Sequence, residues 1–157
     1  MKEHLNLLLI IDTSGSMGEA SKSYAAENLI KFIYESIDMK SIQFSSSSMY
    51  SWSNKVELIG NDIDEFIPLK YNGQVDVNNL IDFLKNKCTN DITKVLIVSD
   101  WSISRKDKNN FESWLDLETK LSVRIVQTEV GTTEFYRYQT DRIFHPQNIY
   151  SAIHSWI

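Results

Sequence analysis

The chain has 157 residues, 42% of them hydrophobic and 24% charged, with a formal net charge of −5. That is the size of one ordinary domain with apolar residues enough for its own core, and its acidic balance argues against nucleic acid as the main partner. A single cysteine, Cys88, excludes an intrachain disulfide framework and a multi-thiolate zinc site.

Taken in order, the elements alternate between strand and helix. Leu7 to Ile11 is a continuous apolar run of the length of a strand covered on both faces, and it ends abruptly at Asp12. From about Ala20 onward, Ala25, Ala26, Leu29, Ile30, Ile33 and Ile37 recur at helical spacing and define one apolar face. Ser41 to Phe44 and Lys55 to Leu58 are candidate short strands, with the Ser- and Asn-bearing stretch between them as a connection. Met49, Tyr50 and Trp52 then either form a surface patch or cover the sheet edge. Asp62 to Phe66 reads as a brief helical turn, and Asn78 to Asn86 as a helix with Leu80, Ile81 and Leu84 inward.

Val95 to Val98 is the second clear buried strand, ending at Ser99-Asp100. The cluster Arg105, Lys106 and Lys108 before the next helix reads as a solvated loop. Phe111 to Lys120 is expected to be helical, with Phe111, Trp114 and Leu115 on its apolar side. Val123 to Gln127 and Arg142 to Phe144 are the last strands. Pro146 opens a closing helix to Ile157, since a proline at the first helical turn forfeits no hydrogen bond. The alternation implies an α/β fold: a doubly wound, mostly parallel central sheet of Rossmann-like order 3-2-1-4-5-6, with helices on both faces. One domain is expected over residues 1–157. The N-terminal apolar run is too short to span a membrane and lacks a signal-peptidase pattern, so no membrane association is expected and the cytoplasm is the expected compartment.

The chemistry is concentrated at two strand ends. Asp12, Ser14 and Ser16 alternate immediately after the first strand and can converge on one point with one negative charge and only oxygen donors, a set suited to a hard cation. Thr93 to Asp100 repeats the logic, an apolar run closing on a carboxylate. In the expected sheet order, strands 1 and 4 are neighbours where the winding reverses, and ligands collect outside their carboxyl ends. Asp12 and Asp100 therefore fall at the one place this architecture provides for a site. His4, His145 and His154 show no ligand spacing.

These residues resemble a von Willebrand factor type A domain. Asp12-Thr13-Ser14-Gly15-Ser16 matches that family's Asp-x-Ser-x-Ser metal-ion-dependent adhesion motif (MIDAS) at every fixed position, Met17-Gly18 is also usual there, and Val98-Ser99-Asp100 is similar to its second loop. The resemblance implies Mg²⁺ (or Mn²⁺) held by Asp12, Ser14, Ser16 and Asp100, with one coordination position left for an acidic group of a partner protein. Met17, Gln74 and Trp101 are the candidate partner contacts on the rim, and Trp101 stands where the family more often has glycine.

In one respect the sequence departs from the pattern. The family's third loop supplies a threonine, and the corresponding stretch Asn72 to Asn78 places Val75 there, which has no oxygen to give. Water, Asp76, or Gln74 after a one-residue shift are left to fill that position, and metal occupancy is open.

The resemblance implies a recognition module, an adaptor or scaffold similar to stand-alone bacterial members of the family that work beside a MoxR-type ATPase or a kinase and phosphatase pair. The competing class is a metal-dependent hydrolase, a nuclease or phosphatase using Asp12 and Asp100 as ligands. It lacks a convincing third acidic ligand and a base, and Ser14 as a nucleophile has no histidine or lysine placed by sequence to activate it. P-loop and dinucleotide-binding glycine patterns are missing.

Overall fold

The computed structural model describes residues 4–39, 44–60, 69–88, 90, 92–118, 121–128 and 142–156. Strand β1 (Asn6–Asp12) leads through a 3-10 turn (Gly15–Gly18) into helix α1 (Ala20–Asp38). Then follow β2 (Ser46–Trp52), β3 (Val56–Gly60), α2 (Val77–Lys87), β4 (Thr93–Ser99), α3 (Arg105–Leu117), β5 (Ser122–Gln127) and β6 (Ile143–Phe144). A 3-10 turn (Pro146–Asn148) and a short helix, α4 (Ile149–His154), come last. The six strands form one sheet in the order β3-β2-β1-β4-β5-β6, parallel throughout except where β2 meets β3. The expected α/β doubly wound sheet is therefore present, with an antiparallel strand at one edge.

Strand β1 shows why the sheet is covered twice. Alternate side chains point to opposite faces, and all five residues from Leu7 to Ile11 are buried. Leu7, Leu9 and Ile11 pack with Ala26, Leu29, Ile30 and Ile33 of α1 and with Ile149 and Ile153 of α4. On the opposite face, Leu8 and Ile10 pack with Leu80, Ile81 and Leu84 of α2 and with Phe111 and Leu115 of α3. Each fully buried Leu or Ile is worth about 1.5–3 kcal/mol over exposure, so a strand apolar on both faces settles only in the middle of the sheet.

The closing helix expected from Pro146 to Ile157 is a 3-10 turn followed by a helix over Ile149–His154, and two further elements differ from expectation. The second strand is Ser46–Trp52, and the expected strand Ser41 to Phe44 lies, apart from Phe44, outside the described residues. Its first residues are serines with little apolar signal, but they sit at the more accessible end beside Asn6 to Leu8, where Ser46 Oγ donates to Asn6 Oδ1 at 2.8 Å. Met49, Tyr50 and Trp52 thus belong to an interior strand at 0–7% exposure and form no surface patch. Helix α3 also starts earlier than the apolar pattern indicates. Ser104 accepts from the Asp107 N–H at 3.1 Å and donates to its Oδ2 at 2.8 Å, a reciprocal cap that draws Arg105, Lys106 and Lys108 into the first turn. The helical turn expected at Asp62 to Phe66 lies outside the described residues. Among the described residues no helix is long and apolar enough to cross a membrane.

Trp52 holds the second face together. It is fully buried, its ring lies 6.3 Å from that of Trp101, and its indole N–H donates to the Asp76 carbonyl at 3.0 Å, tying the end of β2 to the start of α2. Trp52→Ala should lower unfolding stability by about 3–5 kcal/mol, read as a shift of the urea midpoint with an unchanged slope.

Candidate functional site

The site is built where β1 and β4 end. Their register pairs Ile11 with Val98, so Asp12 and Ser99 leave the sheet side by side. Beyond β1 the Thr13 N–H still reaches the Trp52 carbonyl at 2.8 Å, and the chain then turns back. Asp12 Oδ1 accepts from both the N–H and the hydroxyl of Ser14, at 2.9 and 2.6 Å, the local turn that Asp and Ser favour. Its Oδ2 accepts from the Ser99 hydroxyl at 2.5 Å, and the Ser14 and Ser16 hydroxyl oxygens stand 3.2 Å apart. Asp12 and Ser14 are 1% and 4% exposed, whereas Ser16 is at the open mouth. Burial pushes the Asp12 carboxyl above its ordinary value; the Ser14 and Ser99 hydrogen bonds oppose that rise and the Asp100 charge adds to it.

Asp100 lies in the same cluster at 2% exposure. Its Oδ1 accepts from the Ser102 N–H at 3.1 Å, and its Oδ2 lies 3.2 Å from the Lys22 ammonium of α1. The Asp100 N–H and the Thr128 hydroxyl both donate to the Met17 sulfur, at 3.2 and 3.5 Å. Trp101 follows at φ 52°, a left-handed conformation costly for a bulky side chain, and its N–H donates to Ser99 Oγ at 2.9 Å. Ser99 therefore links the two acidic loops, donating a hydrogen bond to Asp12 and accepting one from the Trp101 N–H.

A third loop closes one side. The Asn72 N–H donates to the Thr13 carbonyl at 2.8 Å and the Gly15 N–H to the Gly73 carbonyl at 2.9 Å, with Gly73 at φ 77°, where glycine carries no steric penalty. A cavity of about 430 Å³ lies between this loop and the start of α3, lined by Ser14, Ser16, Gln74, Val75, Ser102 and Asp107 among others.

The structure thus brings Asp12, Ser14, Ser16 and Asp100 together and leaves Gln74 exposed on the cavity wall. Asp76 is elsewhere: its carboxylate caps α2 by accepting the Asn79 N–H at 3.1 Å, which removes it from the candidate ligands. Trp101 and Met17 are also corrected as partner contacts. At 3% and 0% exposure they offer a partner no surface; Trp101 packs 5.3 Å from Phe111, and Met17 sits in the first core with its sulfur turned to Asp100 and Thr128. Val75 borders the cavity and packs against the second core.

The sequence named Ser99 as part of the second loop without giving its side chain a role, and it gave none to Lys22, Ser102 or Asp107. A signal existed for Lys22, which precedes Ala26, Ile30 and Ile33 on the buried stripe of α1, and for Asp107 in the pattern Ser104-x-x-Asp107.

The donors fit a hard divalent ion. All are oxygens, and the 3.2 Å between the two serine hydroxyls is close to the roughly 3 Å separating adjacent oxygens around an octahedral ion with bonds of about 2.1 Å. Among the described residues no group of three or more His, Cys, Asp or Glu could hold a metal, so an ion at this cluster would depend on the serines.

Superposition on solved structures shows that this doubly wound sheet with its helix layers has the von Willebrand factor type A fold. A von Willebrand factor type A protein from Catenulispora acidiphila superposes with a TM-score of 0.59 at 13% identity, over 98% of this chain and 42% of that one. Proximal thread matrix protein 1 from the mussel byssus, in a structure with a zinc-occupied MIDAS motif, gives 0.60 at 12% identity over 98% and 46%. The chain spans less than half the length of these proteins. No family model matches the sequence, and no curated protein matches it.

Two outcomes follow from this geometry. Because Trp101 is left-handed, Trp101→Gly should be more stable than Trp101→Ala by about 1–2 kcal/mol, the reverse of the usual order, in parallel urea titrations. Asp12 has a folded-state pKa raised above its unfolded value of about 3.8, so its contribution to stability is fully present below that value and is lost as pH rises through the folded pKa. Without added metal, Asp12→Asn should therefore melt above the wild type at pH 7, and the difference should vanish on acidification below pH 3.8.

Proposed function

We propose that this chain is a metal-ion-dependent recognition module in which Asp12, Ser14 and Ser16, with Asp100 behind them, hold Mg²⁺ or Mn²⁺ and present it to an acidic group of a partner protein. The observation that carries this reading is the convergence of two buried carboxylates and two serine hydroxyls at the carboxyl ends of neighbouring strands, beside an open polar cavity. The metal-occupied MIDAS of the byssus protein supports a divalent ion at this kind of site. A bound ion would supply Lewis acidity toward an incoming carboxylate. The residues of the chain do the rest: Asp12 accepts three hydrogen bonds that fix its orientation, Ser99 holds the two loops in register, and Gln74 and Ser102 give the cavity wall groups that can hydrogen-bond a partner. An adaptor role beside an ATPase or a kinase and phosphatase pair is the proposed setting.

Titration calorimetry with Mg²⁺ and Mn²⁺ should show binding by the wild type and none by Asp12→Ala. Partner capture should be lost both in that variant and in the presence of chelator. Retention of the partner under both conditions would place recognition on another surface, and metal-dependent turnover of phosphate esters or nucleic acid, lost in Asp12→Ala, would favour the hydrolase.

A further inference from the structure

Lys22 is an unusual residue to find where it is. It occupies the inward stripe of α1 one turn before Ala26, at 9% exposure, and lysine is seldom this buried without a charged partner. Its ammonium lies 3.2 Å from Asp100 Oδ2 and 3.4 Å from Glu19 Oε2, but the Glu19 side chain is 68% exposed, so solvent screens that second contact. Asp100, at 2% exposure, is its buried partner. Without the ammonium, Asp100 would lie beside the Asp12 carboxylate with, among the described residues, the Ser102 N–H to offset its charge.

We infer that Lys22 is a built-in counter-cation of the site. It neutralises Asp100 when no divalent ion is present, and it opposes an incoming ion by holding that carboxylate and by repulsion between like charges. Lys22 therefore sets the metal affinity of the site and lets the acidic loops keep their arrangement without metal. The inference rests on the metal-binding reading above and adds to it a residue outside the Asp-x-Ser-x-Ser motif. Three roles separate cleanly: Asp12 and the serines hold the ion, Asp100 is shared, and Lys22 competes.

The test compares wild type, Lys22→Met and the double variant Lys22→Met/Asp100→Asn by thermal melting and by calorimetry with Mn²⁺. Lys22→Met should melt lower than wild type without metal, recover with saturating Mn²⁺, and bind Mn²⁺ about tenfold more tightly, a coupling of ordinary size. The double variant should regain metal-free stability and lose the gain in affinity. If Lys22→Met does not fold without metal, Lys22→Gln keeps a hydrogen-bond donor without the charge and should show the same direction. Equal Mn²⁺ affinity in wild type and either Lys22 variant would overturn the competition while leaving the metal site standing. Absence of Mn²⁺ binding in every protein would overturn both. A merely structural lysine would move the melting temperature and leave the affinity unchanged.

Discussion

The parallel pairing of β1 with β4 is the constraint from which the rest of the molecule follows. Its register delivers Asp12 and Asp100 to one end of the sheet, at 1% and 2% exposure, and burying carboxylates carries an effective cost of several kcal/mol per ion even after relaxation. Almost every polar contact nearby offsets that cost. Ser14 and Ser99 supply three hydrogen bonds to Asp12, and the Ser102 N–H and the Lys22 ammonium serve Asp100. Met17 completes the arrangement from the first core by accepting the Asp100 N–H, so a residue that looks like part of a binding rim is a strut beneath it.

The two faces of the sheet contribute different things. From the α1 face come the cation and the sulfur acceptor; from the other comes an aromatic wedge, Trp52, Trp101 and Phe111, with successive ring centroids 6.3 and 5.3 Å apart. That wedge explains how Trp101 tolerates a left-handed backbone. Burial of a large ring in a prepared slot outweighs a conformational penalty of about 1–2 kcal/mol, and the resulting bend turns the following residues, Ser102 to Ser104, toward the cavity wall.

Much of this was legible in the chain itself, for identifiable reasons. An apolar run closed by Asp12 can be only a central strand with an acidic tip, and Thr93 to Asp100 repeats it, so sheet order and the meeting of the two acids followed from alternation and topology alone. Strand β2 was hidden because hydroxyl side chains at its accessible end erase the apolar signal, and the start of α3 because its evidence is a cap, Ser104 with Asp107, instead of a stripe. Met17 and Trp101 were misplaced on the rim for a common reason: sequence proximity to a motif does not say on which side of the loop a side chain falls. The contact between Lys22 and Asp100 joins residues 78 apart and depends on how α1 crosses the sheet end, which no local pattern encodes.

The charge balance of the mouth bears directly on what it can select. Asp12 and Asp100 with Lys22 leave a net negative cluster, Asp107 adds a further carboxylate on the cavity wall, and the chain as a whole carries −5. In that state an acidic group on a partner meets repulsion at short range and from the general field. A divalent ion would reverse the sign at the floor of the cavity while the wall residues Gln74 and Ser102 stay neutral hydrogen-bonding groups. In the proposed reading, metal dependence is then a change of sign rather than the addition of one more contact. Lys22 would sharpen it, because an ion that took Asp100 from the ammonium would leave that positive charge near the site, where it would favour the same acidic partner that the ion attracts.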